Sequence, residues 1–293
     1  MEHLARTTPL SVRRLSLSAA AVLASLVAGC ACTCDEPASE PLADADPHAR
    51  EVWTGAIDEA SFKALHELRN DQAPPALGKD VKLSDGSTAY VSEAGDGFPG
   101  IVVIHEWWGL NDHIRHWADR LAASGYNAIA VDLYGGEVAT TPDGAMNLMG
   151  SVDDLRATET LAAAAKYLTE QLHAPKYGSI GWCFGGGWSL RTAVAQPDLD
   201  ACVLFYGRPI TDAELLKTVR APLLGIFGDQ DTSIPPSAVD ALDAALTEAG
   251  VEHTILRYDA PHAFANPSSG RYVQSAAEAA WSEVQEFLAK ELR

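Results

Sequence analysis

The stretch that decides the fold is G-S-I-G-W-C-F-G-G-G-W, residues 178–188. Its first five residues predict a short buried strand, and residues 186–196 predict the helix that follows. Small residues around Cys183 allow a sharp turn between the two elements, as in the G-x-nucleophile-x-G motif. On such a turn a thiol lies near a helix N-terminus, where the helix dipole and backbone N–H groups stabilise a thiolate or an oxyanion. Cys183 is therefore the predicted nucleophile.

The alternative for Cys183 is a small core residue inside a phosphate-binding glycine loop. The stretch lacks the G-x-x-x-x-G-K pattern of a Walker loop and the G-x-G-x-x-G pattern of dinucleotide-binding folds, so the nucleophile is favoured. Cys202 lies within an apolar run, A-C-V-L-F, and is predicted to be an ordinary core residue. Cys30, Cys32 and Cys34 lie near the N-terminus, so the chain is no disulfide scaffold.

Strands and helices alternate on both sides of this stretch. Strands are predicted at residues 88–92, 100–105, 127–131, 178–182, 201–206, 223–227 and 252–257. Helices are predicted at residues 112–124, 153–171, 186–196, 237–249 and 273–292, with an extra helix within residues 51–70. Several strands are continuous apolar runs, which is typical of strands covered by helices on both faces. The alternation predicts an α/β domain with a mostly parallel sheet covered by helices on both faces.

The composition indicates an acidic globular protein. Of the 293 residues, 40 are acidic and 21 are basic, which gives a formal net charge of −19, and 47% are hydrophobic. That apolar content excludes a disordered chain. Because so acidic a surface repels a phosphate backbone, no nucleic acid partner is expected.

The N-terminus predicts export. Arg6, Arg13 and Arg14 precede an apolar run at residues 15–28, which is too short to cross a bilayer core about 30 Å thick. The run ends in V-A-G-C, which resembles a bacterial lipobox with Cys30 as the lipidated residue; an ordinary secretory signal is the alternative. We expect a signal peptide at residues 1–29, a lipidated tether at residues 30–50 and a single domain at residues 51–293. The protein would then be an exported lipoprotein, anchored to a membrane and facing the periplasm or the cell surface.

Two later strands are followed by a candidate acid and a candidate base. The loop at residues 228–235 contains Asp229 and Asp231, and spacing alone does not choose between them or exclude an ordinary turn. His262 lies in the loop after the last strand. An acid can hold a catalytic histidine in one tautomer. Nucleophile, acid and base then follow in the chain order of an α/β-hydrolase triad.

The segment H-E-W-W-G, residues 105–109, follows another predicted strand. It begins like the zinc motif H-E-x-x-H, but Gly109 stands where the second histidine is required, and the spacing of His113 and His116 suits a solvent-facing helix better than a metal site. No metal ion is therefore expected, and no other cofactor is expected either. In an α/β-hydrolase this loop supplies the second oxyanion N–H, and Glu106 would lie close to the thiol.

Together these motifs resemble the dienelactone hydrolase family, from about residue 79 to the C-terminus. The resemblance rests on G-x-C-x-G-G around Cys183, on Glu106 with Gly109 and Asn111, on G-Y and D-L-Y within residues 125–134, and on the two later loops. It implies hydrolysis of small carboxylic esters or lactones through a thioester acyl-enzyme. It also implies that Cys183 is the nucleophile, Asp231 the acid and His262 the base.

The resemblance assigns the remaining roles in the predicted site. Glu106 would hold the Cys183 thiol before attack, and the backbone N–H groups of Phe184 and Trp107 would stabilise the oxyanion. Founding members of the family bind a substrate carboxylate with two arginines. Asn266 stands at one of these positions, and the other falls within residues 141–149, which contain no basic residue.

These departures leave the substrate open. Arg208 is a candidate replacement for the missing charge, and a surface arginine is the alternative. Trp107, Trp108 and Phe205 are predicted pocket walls that would suit a neutral or aromatic ester. Two further functions remain possible on this fold: an exported binding protein without turnover, and a peptidase or thioesterase. The sequence does not indicate an oligomeric state.

Overall fold

The computed structural model of the chain describes residue 57, residues 59–67 and residues 76–293. The predicted signal peptide, the lipidation of Cys30 and the tether at residues 30–50 lie outside the described residues. No helix in the described ranges is both long and apolar enough to cross a membrane.

Eight strands of the described residues form one sheet, in the order β1-β2-β4-β3-β5-β6-β7-β8. Every neighbouring pair from β4 to β8 is parallel, whereas β2 pairs antiparallel with both β1 and β4. The strands are β1 (Lys79–Lys82), β2 (Thr88–Ser92), β3 (Gly100–Ile104), β4 (Asn127–Val131), β5 (Tyr177–Trp182), β6 (Ala201–Phe205), β7 (Leu223–Gly228) and β8 (His253–Tyr258). The predicted mostly parallel sheet is confirmed.

Helices follow most of these strands. They are α1 (Glu59–Glu67), α2 (Asp112–Ala123), α3 (Pro142–Ser151), α4 (Asp154–Gln171), α5 (Phe184–Ala195), α6 (Ala213–Leu216), α7 (Pro236–Ala249) and α8 (Gln274–Leu292). The seven predicted strands and five long predicted helices have observed bounds within two residues of the expected ones. The extra helix expected within residues 51–70 is observed as α1.

Three elements were not predicted, and each of them buries little. The strand β1, K-D-V-K, is almost entirely exposed at the sheet edge. The helix α3 buries Ala145 alone, and α6 has four residues. Elements without a buried apolar face carry no hydrophobic periodicity, so the sequence pattern does not reveal them.

Helices cover both faces of the sheet. Because successive side chains of a strand point to opposite faces, Val102 and Ile104 in β3 join one core cluster, whereas Ile101 and Val103 join the other. The first cluster includes residues of α4, α5 and α7, and the second includes residues of α1, α2 and α8. The sheet is therefore buried between two helical layers, as predicted.

A buried ion pair holds α1 and also reaches a loop that lines the site. The guanidinium of Arg120 in α2 donates to the Glu59 carboxylate at 2.9 Å and to the Ile57 carbonyl at 3.0 Å. It also lies 4.1 Å from the centre of the Trp281 ring. Glu59 accepts a further hydrogen bond from the Tyr272 hydroxyl at 2.7 Å. The segment between β8 and α8 is thereby tied to α1.

Candidate active site

Four loops meet at the carboxyl edge of the sheet, where ligands bind in open α/β sheets. The loops after β3, β5, β7 and β8 carry Glu106, Cys183, Asp231 and His262, respectively. All but Asp231, which lies behind His262, line one cavity of about 990 Å³. The same cavity is lined by further predicted site residues: Trp107, Trp108, Phe184 and Arg208. The structure thus brings the predicted residues together, except for Phe205.

Cys183 occupies the turn between β5 and α5 in a strained backbone conformation. Its φ is +55° and its ψ is −114°, a region that residues with a side chain rarely adopt. The flanking glycines are required by close backbone approaches. A Cβ on Gly181 would lie 2.2 Å from the Gly185 carbonyl oxygen, and one on Gly185 would lie 2.2 Å from that of Ile104. The G-x-C-x-G pattern therefore has a steric cause in this fold.

The Cys183 thiol is held in its neutral form. Burial and the nearby Glu106 carboxylate raise its pKa to about 12. The Phe184 N–H, which faces the sulfur, and the Arg271 guanidinium act in the opposite direction and are outweighed. At neutral pH the site therefore holds a thiol, and a proton acceptor must act before the sulfur can attack.

His262 and Asp231 are joined by a hydrogen bond. The Nδ1 of His262 lies 2.6 Å from the Asp231 Oδ2, and the Asp231 side chain is fully buried. The other carboxylate oxygen accepts hydrogen bonds from the N–H groups of Ser233, at 2.7 Å, and Ile234, at 2.9 Å. A carboxylate at Nδ1 assigns the proton of the neutral ring to that atom, which leaves Nε2 unprotonated and able to accept a proton.

The geometry also settles which aspartate pairs with the histidine. Asp229 accepts a hydrogen bond from Arg257 at 2.7 Å on the exposed side of the loop, away from His262. Asp231 alone of the two contacts the imidazole.

Glu106 is buried with one of its oxygens unpartnered. The Asn266 Nδ2 donates to its Oε2 at 2.5 Å, whereas no hydrogen-bond partner for Oε1 is found among the described residues. Burial raises the pKa of Glu106 to about 7, and the Asn266 hydrogen bond limits the rise. Because this carboxyl changes charge near neutral pH, it can hold or release a proton beside Cys183. Asn266, which the sequence marked as a departure, thus has a partner in the site.

The loop that begins at His105 shows no metal centre. The described residues contain no group of three His, Cys, Asp or Glu side chains placed to bind one metal ion. His105 itself is fully buried, and burial lowers its pKa to about 4. Its ring is therefore neutral and serves as a hydrogen-bonding group within the protein.

The predicted role of Phe205 as a pocket wall is wrong. Its ring packs in the core, 5.6 Å from the Trp182 ring and 5.9 Å from the Tyr206 ring, with 1% of the residue exposed. The next residue, Tyr206, has a φ of +36° and lines the cavity, with its ring 5.0 Å from that of His262. The strand ends one residue before the prediction, and the turn at Tyr206 directs that side chain into the site.

Two cationic side chains at the cavity have no ion-pair partner among the described residues: Arg208 and Arg271. Arg208 was predicted, but Arg271 was missed, as was Tyr206. Arg271 lies nine residues after His262 in an irregular segment, where no periodic pattern relates sequence position to direction. Its guanidinium lies close enough to the thiol to lower the Cys183 pKa.

Comparisons with known proteins find a matching family, similar relatives and similar solved structures. Residues 87–292 match the dienelactone hydrolase family. A Salmonella typhimurium protein named "Putative carboxymethylenebutenolidase" is 31% identical over 270 residues, covering 87% of this chain and 94% of its own. A crystal structure titled "Putative Dienelactone Hydrolase" from Klebsiella pneumoniae has 27% identity and a TM-score of 0.67, and the match covers 73% of this chain and 98% of the other.

A similar match is a dienelactone hydrolase-like promiscuous phosphotriesterase from metagenomic libraries. It is 25% identical with a TM-score of 0.68, and the match covers 74% of this chain and 98% of the other. The matches thus cover nearly the whole length of each of these three proteins. The chain belongs to the dienelactone hydrolase family.

Proposed function

We propose that the protein is a cysteine-dependent hydrolase that cleaves carboxylic esters or lactones through a thioester acyl-enzyme. One observation carries the proposal: Cys183 stands at φ +55° on the strand-to-helix turn, in the same cavity as a His262 ring paired with Asp231 at 2.6 Å. This is the arrangement of nucleophile, base and orienting acid that acyl transfer requires. Membership of the dienelactone hydrolase family supports the same class of reaction.

Acylation begins with the neutral thiol. In the proposed resting state the Cys183 thiol donates a hydrogen bond to Glu106 Oε1. His262 Nε2 takes the thiol proton as the sulfur attacks. The S–C bond forms, and the carbonyl π pair moves to the oxygen. The N–H groups of Phe184 and Trp107 stabilise this oxyanion, a contribution of about 3–4 kcal/mol per donor in comparable sites. When the oxyanion collapses, the C–O bond breaks and the leaving alkoxide takes the proton from His262.

Deacylation uses the same groups with water as the nucleophile. His262 Nε2 takes a proton from the water while its oxygen attacks the thioester carbon. The C–S bond then breaks, the sulfur recovers the proton, and the carboxylic acid leaves. Asp231 holds Nδ1–H throughout and stabilises the imidazolium that forms in each half.

We further propose that the substrate is a small molecule that carries a carboxylate. Arg208 and Arg271 face the cavity without an ion-pair partner among the described residues, in a chain whose net charge is −19. A guanidinium binds a carboxylate through two parallel hydrogen bonds. The name of the Salmonella relative denotes a lactone with a carboxymethylene group. Trp107 and Trp108 supply apolar walls for the rest of the molecule.

The test is hydrolysis of p-nitrophenyl butyrate and of a p-nitrophenyl ester with a terminal carboxylate. We expect Cys183→Ala to abolish both activities and Cys202→Ala, a change in the buried core cysteine, to preserve them. When the unaltered protein is quenched with acid during turnover, mass spectrometry should detect the acyl group on Cys183. Undiminished turnover by Cys183→Ala would refute the mechanism. If the unaltered protein hydrolyses no ester, a binding role without turnover is the better account.

We also propose that the chain is exported as a lipoprotein through Cys30. Support comes from the basic N-terminus, the apolar run at residues 15–28 and the V-A-G-C sequence that ends it. The full chain should be recovered in the membrane fraction of a bacterial host, and Cys30→Ser should move it to the soluble exported fraction. Membrane association that persists in Cys30→Ser would refute lipidation at this residue.

A further inference from the structure

His105 lies directly after β3, fully buried behind the loop that carries Glu106 and Trp107. Its Nε2 accepts a hydrogen bond from the Leu133 N–H, just beyond β4, at 3.2 Å. A neutral imidazole has a single N–H, so acceptance at Nε2 assigns the proton to Nδ1. Nδ1 therefore donates to the Glu106 carbonyl oxygen, at 2.6 Å. The side chain thus links the end of β4 to the main chain of the proposed oxyanion loop.

The Glu106 carbonyl and the Trp107 N–H belong to the same peptide unit. A trans peptide unit is planar, so its C=O and N–H point in opposite directions. A hydrogen bond that fixes the carbonyl therefore fixes the direction of the N–H. The Gly109 N–H donates to the same carbonyl at 3.2 Å, so two donors from separate positions hold this peptide unit.

The ring of His105 also contacts two neighbours of the proposed oxyanion site. It stacks on Phe184 at a centroid distance of 5.7 Å and an interplanar angle of 21°. It meets Tyr134 edge-on at 4.6 Å, and the Tyr134 hydroxyl donates to the Trp107 carbonyl at 3.2 Å. One buried ring therefore contacts the side chain of one proposed oxyanion donor and the peptide unit of the other.

We propose that His105 is a positioning residue that directs the Trp107 N–H at the oxyanion of the acyl-transfer reaction. The inference rests on the proposed function, because it requires an oxyanion to form in the cavity. His105 is not among the described residues that line that cavity, so it acts through the peptide unit and touches neither substrate nor thiol. Burial lowers its pKa to about 4, which keeps the ring neutral and in this tautomer at physiological pH.

Two substitutions test the role of the ring nitrogen. His105→Phe keeps an aromatic ring but removes the donor, and we expect kcat for a p-nitrophenyl ester to fall about 30- to 100-fold with KM within about threefold. His105→Asn places an amide N–H near the position of Nδ1, and it should restore kcat to within about fivefold of the unaltered protein.

Two probes of Cys183 separate positioning from general damage. A trifluoromethyl ketone forms a thiohemiketal oxyanion with the thiol, so its inhibition constant should weaken in His105→Phe in proportion to the loss of kcat. Alkylation by iodoacetamide forms no oxyanion, so its rate should stay within about twofold. His253→Phe is the matched control, because the His253 Nδ1 contacts the Val251 carbonyl at 2.7 Å at the remote amino end of β8.

Tyr134→Phe provides a second route if His105→Phe does not fold. It removes the hydrogen bond to the Trp107 carbonyl and should weaken the ketone about fivefold without changing alkylation. Unchanged hydrolysis in His105→Phe, or an equal loss of alkylation and hydrolysis, would overturn the positioning role. If the unaltered protein hydrolyses no ester and binds no ketone, the proposed function itself fails and the positioning role falls with it.

Discussion

Two carboxylates lie at the same edge of the sheet, and they differ in how many hydrogen bonds they accept from the surrounding protein. Asp231, after β7, accepts hydrogen bonds from His262 and from two backbone N–H groups. Glu106, after β3, accepts one side-chain hydrogen bond, from Asn266, and burial raises its pKa to about 7. The first loop satisfies its carboxylate, which suits it to hold a histidine. The loop after β3 leaves Oε1 of Glu106 without a hydrogen-bond partner among the described residues, which suits this carboxyl to exchange a proton.

The largest effect is expected from a change in the satisfied carboxylate. Asp231→Asn keeps the shape but can donate to Nδ1 of His262, which favours the tautomer with its proton on Nε2. The base would then be blocked, and kcat for a p-nitrophenyl ester should fall about 10³- to 10⁴-fold. Asp229→Asn is the control, because Asp229 contacts Arg257 at the surface, and it should change kcat less than twofold. Equal losses in the two variants would contradict the assignment of Asp231.

A change in Glu106 should alter the free energy of unfolding by an amount that depends on pH. The folded-state pKa of Glu106 is raised from 4.5 to about 7, so the folded protein binds the extra proton between these values. By linkage, the stability from this group is full below pH 4.5 and is lost as pH rises through about 7. Glu106→Gln removes that loss and should be more stable than the unaltered protein by about 2–3 kcal/mol at pH 8.

Urea unfolding at pH 4.5 and at pH 8 measures this difference. The two proteins should have similar free energies of unfolding at the lower pH and separate as pH rises. His105, whose pKa is lowered from 6.5 to about 4, contributes the opposite slope over pH 4 to 6.5 in both proteins. Comparison of variant with parent cancels that contribution. A difference that does not depend on pH would show that Glu106 titrates normally.

The contrast between the two loops also shows what could be predicted from sequence. The strand–helix alternation predicted the position of each loop, because a strand buried in the sheet appears in the sequence as an apolar run and the loop begins where that run ends. The direction of a side chain beyond a strand end was harder to predict. Phe205 was expected in the cavity, but β6 ends there and the positive φ of Tyr206 turns the next side chain inward. Arg271 was missed because no regular element carries it, and Asp231 was separated from Asp229 by the resemblance and not by spacing.

A change in Arg271 tests whether the positive charge near Glu106 binds a carboxylate of the substrate. Its guanidinium opposes the effect of Glu106 on the Cys183 pKa and has no ion-pair partner in the described part of the chain. Arg271→Gln should raise KM about tenfold for an ester with a terminal carboxylate and leave a neutral ester within about twofold. Arg220→Gln, at a residue that contacts the Lys217 carbonyl outside the cavity, is the control. Equal effects on both esters would refute carboxylate recognition by Arg271.

The smallest effect is expected from a change in Asn266, whose side chain donates a hydrogen bond to Glu106. Loss of that donor disfavours the ionised carboxylate, so Asn266→Ala should raise the Glu106 pKa further above 7. If attack requires ionised Glu106 as the hydrogen-bond acceptor of the resting thiol, the acid limb of kcat/KM should move to higher pH by about half a unit. Water that enters the vacated space would replace part of the lost hydrogen bond, which keeps the shift small.

Ser268→Ala is the matched control for this shift. The Ser268 hydroxyl donates to the Asn266 Oδ1 at 2.6 Å, on the other side of the amide from Glu106, and the Ser268 N–H makes the same contact at 2.9 Å. The amide therefore stays in place in Ser268→Ala, and the acid limb should not move. An acid limb that does not move in Asn266→Ala would mean that ionisation of Glu106 does not control the attack. The two carboxylates would then differ in donor number without differing in proton exchange.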